Sequence, residues 1–192
     1  MSGIVPTREQ AWRLLTQYTQ TDALLKHALA VEAVMRHFAQ KRGHDPEKWG
    51  IIGLVHDLDY EQFSQEHCYK TAEILRENRW PEDTIHAVLS HGWGICTDVA
   101  PEHEMEKVLF AVDELTGLVV TTALVRPSRS LADLTAKSVR KKWKDKAFAA
   151  KIDRGIITRG AEMLGMELSD LITETIAGMR PIAAELGLEG SG

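Results

Sequence analysis

The sequence has few cysteines, no long apolar run and little alternation of apolar and polar residues. Its two cysteines, Cys68 and Cys96, lack the paired spacing of a metal site and suit a reducing compartment. No apolar stretch approaches the roughly 18–20 residues of a membrane span. Residues 1–20 carry no apolar segment of signal length. We therefore expect a cytoplasmic protein that does not bind membranes.

Repeats, low-complexity tracts and an interdomain linker are also missing. A chain of 192 residues with 44% apolar and 27% charged residues is ordinary for one globular domain, which we expect over residues 1–192. The net charge of −5 argues against nucleic-acid binding by the surface as a whole. These features leave a soluble enzyme or binding module as the broad class.

The apolar residues recur at helical spacing nearly throughout, which predicts an all-α fold. Thr7 or Thr21 is the expected cap of the first helices, and Pro46 the start of the next. Later helices are expected from His67, from residues 80–83 to His91, and from Glu104 to Val125. Beyond Pro127, Ser130 is the expected N-cap of another helix with Asp133 at its third position. Two more helices are expected over 152–188, the second capped by Ser169.

The dipeptide His56-Asp57 closes the apolar run 49–55. Two ionisable side chains in an apolar setting are unfavourable to bury unless they find a partner or a metal. A neutral imidazole and a carboxylate on consecutive residues can both bind one divalent cation. The pair therefore raises the question of whether the chain supplies further ligands.

Two further residues extend this set. His27 lies on the apolar side of the first long helix, and Asp113 interrupts the most apolar helix in the sequence. Two imidazoles and two carboxylates form a mixed nitrogen and oxygen set that suits iron, manganese, zinc, cobalt or magnesium. We therefore predict a metal site built from His27, His56, Asp57 and Asp113.

The order His27, His56-Asp57, Asp113 on helices resembles the HD superfamily of metal-dependent phosphohydrolases. The resemblance covers about residues 20–125 and implies an HD-domain helical bundle, followed by C-terminal helices over 130–188. One large branch of the superfamily has Ile-Gly after the His-Asp pair, whereas this chain has Leu58-Asp59.

The resemblance also implies roles for His67 and His91. In dinuclear HD proteins two extra histidines from this stretch hold a second ion, and Asp57 would then bridge both ions. In mononuclear relatives, histidines of this region act on the substrate phosphate instead. Either role makes Asp57, His67 and His91 candidate catalytic residues and leaves one or two ions open. The remaining histidines are interpreted as structural: His37, His44, His86 and His103.

Residues 126–146 contain eight basic and two acidic side chains. Arg126, Lys137 and Lys141 are the candidates for binding a substrate phosphate there, with a solvated helix face as the alternative. For the proton donor to a leaving group, we consider His67, His91, Asp59, Glu61 and Glu66.

Three functions are consistent with the sequence. The first is a phosphohydrolase that releases phosphate from a small phosphomonoester or nucleotide. The second is an HD-type diiron oxygenase acting on a small organic substrate, and the third a noncatalytic metal-binding regulatory module. The expected ligand is a small phosphorylated molecule, nucleic acid is not expected, and the apolar fifth and C-terminal helices suggest a homodimer.

Overall fold

The structure, a computed structural model, describes residues 6–145 and 147–190, and its regular elements are helices. Within these residues, β pairing is limited to two isolated bridges, Trp93 with Thr97 and Ser130 with Glu189. This confirms the predicted all-α fold. The α-helices are α1 (Arg8–Tyr18), α2 (Asp22–Arg42), α3 (Pro46–Val55), α4 (Tyr69–Glu77), α5 (Glu82–His91), α6 (Glu104–Leu124), α7 (Ala136–Trp143), α8 (Arg154–Met163), α9 (Leu168–Met179) and α10 (Ala183–Leu186).

Local signals in the sequence account for the boundaries of the first three helices. Thr7 and Gln10 form a reciprocal capping box at the start of α1. Gly43 ends α2 in the left-handed conformation, with φ of 74°. Asp45 then accepts hydrogen bonds from the first backbone N–H groups of α3, and Pro46 occupies its first turn. The chain thus reverses sharply between α2 and α3, which pack along each other.

Two 21-residue helices, α2 and α6, form the centre of the molecule. Helix α6 contacts α2, α5, α7, α8 and α9, so most of its apolar side chains are buried. A second apolar cluster joins α1, α3, α4 and α5 on the other side of α2. The surface from which we predict a homodimer is thus largely covered within the chain, and the dimer stays a prediction.

Three predicted helix starts differ from the structure. Helix α7 begins at Ala136 after the N-cap Thr135, because the Ser130 hydroxyl instead donates to the carbonyl of Glu189. Helix α9 is preceded by Glu167, so Ser169 lies within its first turn. Helix α4 begins at Tyr69, and His67 therefore lies in the connection before it. None of the helices in the described ranges is long and apolar enough to cross a membrane.

Candidate metal centre

Three separate parts of the chain bring the first four candidate ligands together. His27 projects from α2, His56 and Asp57 follow the end of α3, and Asp113 lies in the middle of α6. The Nε2 atom of His27 is 2.9 Å from an Asp113 oxygen and 3.5 Å from an Asp57 oxygen. The Nε2 atom of His56 is 3.3 Å from Asp113 and 3.4 Å from Asp57. These four side chains form one compact cluster.

His67 and His91 complete the cluster on its other side. The Nε2 atom of His67 is 3.5 Å from Oδ1 of Asp57, and that of His91 is 3.3 Å from the same oxygen. His91 is the last residue of α5, and His67 lies just before α4. Asp57 thus lies among four histidines, with His27 nearest to its Oδ2 and the other three nearest to its Oδ1.

The Nδ1 atoms of these histidines point away from the cluster and are hydrogen bonded. His56 donates from Nδ1 to the carbonyl of Gly53 at 2.7 Å, and His91 donates to the carbonyl of Val88 at 2.5 Å. A carbonyl can only accept, so the proton of each neutral ring is on Nδ1. The Nε2 lone pair of both residues therefore faces the carboxylates. Outer hydrogen bonds of this kind orient histidines that bind metals.

His27 and His67 are oriented in the same way through side chains. His67 donates from Nδ1 to the buried carboxylate of Asp59 at 2.8 Å. The hydroxyl of Thr116 donates to the backbone carbonyl of Asp113, so its oxygen can accept from Nδ1 of His27 at 3.4 Å. In their neutral forms, all four imidazoles thus present an unprotonated Nε2 to Asp57 and Asp113.

This donor set fits a divalent metal. Ligands about 2.1 Å from a common ion are separated from each other by roughly 3.0–3.4 Å, close to the spacings in the cluster. His27 and His56 hold their Nε2 atoms 3.3 Å apart, although two lone pairs gain nothing by facing each other. Oδ1 of Asp57 is buried and has no hydrogen-bond partner among the described residues. A cation between these atoms would satisfy all of them.

Electrostatics in the cluster favour protonated His56 and His67 and ionised Asp57 and Asp113. Burial opposes the charge on His56, but attraction to Asp57 and Asp113 outweighs it and raises the pKa of His56 to about 9. His67 is also buried, yet its bond to Asp59 raises its pKa to about 9. Although burial would raise the pKa values of Asp57 and Asp113, the charge on His56 lowers both. Positive charge is therefore strongly stabilised here, as protons or as metal.

The cluster lies at the base of a cavity of about 250 Å³. Its wall includes Tyr60, Ile95, Cys96 and Glu114. Burial, followed by repulsion from Asp113, raises the pKa of Glu114 to about 7. No lysine or arginine lines this cavity in the part of the chain that the structure describes. Nothing in the sequence singled out Glu114, because only the fold shows that it faces the cavity beside Asp113.

The predicted phosphate-binding residues lie elsewhere. Arg126 follows α6 and pairs with Asp133. It lies thirteen residues beyond Asp113, which corresponds to roughly 20 Å along a helix. Lys137 and Lys141 line a separate groove beside α7. The structure does not bring these three cations to the cluster.

The histidines interpreted as structural also lie away from it. His37, His44 and His86 pair with the carboxylates of Glu174, Glu104 and Glu106, respectively. His103 is the N-cap residue of α6. Each therefore has a role in joining or capping helices.

Comparisons with known proteins agree with this arrangement. Residues 24–117 match the model of the HD domain family, a range that begins in α2 and ends in α6. This range contains all six residues of the cluster. Searches of curated proteins and of solved structures gave no match. The family consists mostly of metal-dependent hydrolases. With its cluster of histidines and aspartates, this chain belongs to the HD superfamily.

Proposed function

We propose that this protein is a metal-dependent phosphohydrolase that releases phosphate from a small phosphomonoester or nucleotide. One observation carries the proposal: four imidazole Nε2 atoms converge on two carboxylates at the base of an open cavity. This donor set suits an HD-type hydrolase, and the cavity makes it accessible to a small molecule.

The residues divide into two groups around Asp57. His27, His56, Asp57 and Asp113 would hold one divalent ion. His67 and His91, whose Nε2 atoms lie 3.5 and 3.3 Å from Oδ1 of Asp57, would hold a second ion together with that carboxylate. Such ions supply Lewis acidity, which lowers the pKa of water and polarises a phosphoryl oxygen. Asp57 would position both ions, since its two oxygens face different histidines.

Protonation of the leaving group needs an acid in the cavity wall. Asp59 is buried beneath His67, and Glu61 accepts hydrogen bonds from the backbone of residues 20 and 21. Neither lines the cavity, and neither does Glu66. Glu114 does, and it lies outside the ligand set. We assign it as the group that holds a proton for the leaving oxygen.

The cavity also limits the substrate. A volume of about 250 Å³ is below the usual range of roughly 300–1,000 Å³ for drug-sized ligands. A phosphate and a short organic group fit this space, while a nucleotide would extend towards solvent. Because the described lining lacks lysine and arginine, bound metal and the histidines would provide the positive charge that attracts phosphate.

A phosphate-release screen tests the proposal. Metal-free protein would be reconstituted separately with Mn²⁺, Co²⁺, Fe²⁺, Zn²⁺ and Mg²⁺ and assayed against phosphomonoesters of increasing size. We expect release with at least one metal, loss of at least a hundredfold in Asp113→Ala, and little change in the matched variant His44→Ala. Failure of every loaded form to release phosphate would contradict the proposal.

The six-residue cluster also supports a second candidate, a diiron oxygenase acting on a small organic substrate. That activity needs the same dinuclear ligand set, and the described cavity lining has no lysine or arginine that would select for phosphate. Protein that binds two irons, consumes O₂ with an organic substrate and releases no phosphate would establish this alternative.

A further inference from the structure

The two cysteines of the chain meet beside the metal centre. Cys68 lies directly before α4, and Cys96 lies in the tight turn that follows α5. Their Sγ atoms are 3.1 Å apart although 28 residues separate them in the sequence. Cys68 is fully buried, whereas Cys96 is partly exposed and contributes to the cavity wall.

The surrounding backbone leaves room for both sulfurs. A Cβ atom at position 92 would lie 2.4 Å from Sγ of Cys96 and 2.7 Å from Sγ of Cys68. Glycine at this position therefore creates the space that the thiols fill. The turn itself is fixed, because the backbone N–H groups of Cys96 and Thr97 both donate to the carbonyl of Gly92. The Thr97 hydroxyl adds a bond to the carbonyl of Leu89 at 2.7 Å.

The spacing favours a direct reaction between the sulfurs over a shared metal. Two thiolates on one zinc ion, each about 2.3 Å from it, are roughly 3.8 Å apart in tetrahedral geometry. The observed 3.1 Å is shorter than this, and it exceeds the disulfide bond length of about 2.05 Å by only about 1 Å. We propose that Cys68 and Cys96 form a redox-active dithiol that closes to a reversible disulfide in the wall of the cavity.

The different exposure of the two thiols sets the order of the reaction with a small disulfide such as oxidised glutathione. Cys96 loses its proton and its thiolate attacks one glutathione sulfur, the glutathione S–S bond breaks, and one glutathione thiolate leaves. Cys68 then loses its proton and attacks Sγ of Cys96, and the second glutathione thiolate leaves. The two cysteines are oxidised by two electrons, glutathione disulfide is reduced, and its two thiolates take up the two protons.

The bond would join two segments that carry candidate ligands. His67 directly precedes Cys68, and His91 directly precedes Gly92 at the start of the turn. Oxidation would therefore link the segment that carries His67 to the segment that carries His91. The proposal concerns the thiols alone and does not depend on hydrolase activity.

Peptide mapping of the full-length protein tests the inference. The protein is treated with oxidised glutathione, acid-quenched, alkylated under denaturing conditions with chelator present, and digested. We expect a peptide pair cross-linked between Cys68 and Cys96, no alkylation of either thiol, and recovery of both on reduction. Two alkylated thiols, a stable glutathione adduct on Cys96, or cross-links only between two chains would each overturn the proposal.

Two variants test the order of attack. Cys68→Ser should stop at a glutathione adduct on Cys96, because the second thiol is missing. Cys96→Ser should react at least tenfold more slowly, because only the buried thiol remains. Equal rates for the two variants would contradict the assigned order, and the wild-type map remains decisive if either variant fails to fold.

Discussion

The Asp59 carboxylate accepts a hydrogen bond from Nδ1 of His67 at 2.8 Å. Its second oxygen accepts from the backbone N–H of Thr71, also at 2.8 Å, and the side chain is fully buried. Asp59 thereby fixes the ring so that Nε2 of His67 faces Asp57 at 3.5 Å. The residue that departs from the Ile-Gly pattern after the His-Asp pair thus orients a candidate ligand.

Replacing Asp59 by Asn tests this relationship. An amide cannot accept from both His67 and Thr71, so one buried N–H loses its partner or the ring rotates. We expect metal affinity at the His67 and His91 group to fall roughly 10–100-fold, as for other outer-shell partners. Metal titration with a competing chelator would measure it. Glu61→Gln, a carboxyl-to-amide change at the surface, is the control, and equal affinities in both variants would refute the role of Asp59.

Metal binding should release protons. In the metal-free protein the pKa values of His56 and His67 are about 9, so both rings carry an extra proton at pH 7 that a metal must displace. We expect affinity to rise roughly tenfold or more per pH unit between pH 7 and 9. Calorimetry in buffers of different ionisation enthalpy counts the released protons. A binding enthalpy that is independent of the buffer would contradict this prediction.

The stability of the metal-free protein should decrease in alkaline solution. The folded-state pKa of His56 is raised, so its contribution is complete below about pH 6.5 and is lost as the pH rises through about 9. The expected loss in unfolding free energy is on the order of 3 kcal/mol. Denaturant unfolding at pH 6.5 and 9.5 would measure it. Asp113→Asn should reduce this pH dependence, because it removes one of the charges that holds the proton.

Adding a methyl group at Gly92 should destabilise the protein through the two sulfurs. The new Cβ would lie within 2.4 Å of one Sγ and 2.7 Å of the other, so we expect Gly92→Ala to cost roughly 1–3 kcal/mol. Its φ of −84° is accessible to alanine, which leaves packing as the cause. Combining it with Cys96→Ala should recover part of the loss in chemical denaturation. Additive effects of the two substitutions would show that the sulfur contact is not responsible.

The sequence predicted the cluster better than its surroundings. His27, His56, Asp57 and Asp113 can be identified because each places an ionisable group within or directly after an apolar helix, where burial is unfavourable without a partner or a metal. For Arg126 and Lys137 the sequence offers only their charge, which does not show where they lie in the fold. Their positions depend on where α6 ends and how α7 turns, which the local pattern does not contain.

The helix caps also show that a local sequence pattern does not reveal contacts between distant segments. Thr7 caps α1 as expected, because its partner Gln10 is only three residues away. Ser130 fits the same local pattern, but its hydroxyl bonds to the carbonyl of Glu189, 59 residues further along the chain. The roles of Asp59, Glu114 and the two thiols likewise arise from contacts between distant segments, so the sequence alone did not predict them.

Metal content is the most direct test of the central claim that these six side chains hold metal. Four proteins would be stripped of metal, reconstituted with Mn²⁺ or Fe²⁺, desalted and analysed for bound metal by mass spectrometry. These are the wild type, Asp57→Ala, His91→Ala and the control His44→Ala. We predict one or two equivalents in wild type and control, loss of all metal in Asp57→Ala, and, for two ions, loss of half in His91→Ala. Wild type without bound metal, or Asp57→Ala with the wild-type content, would contradict the account.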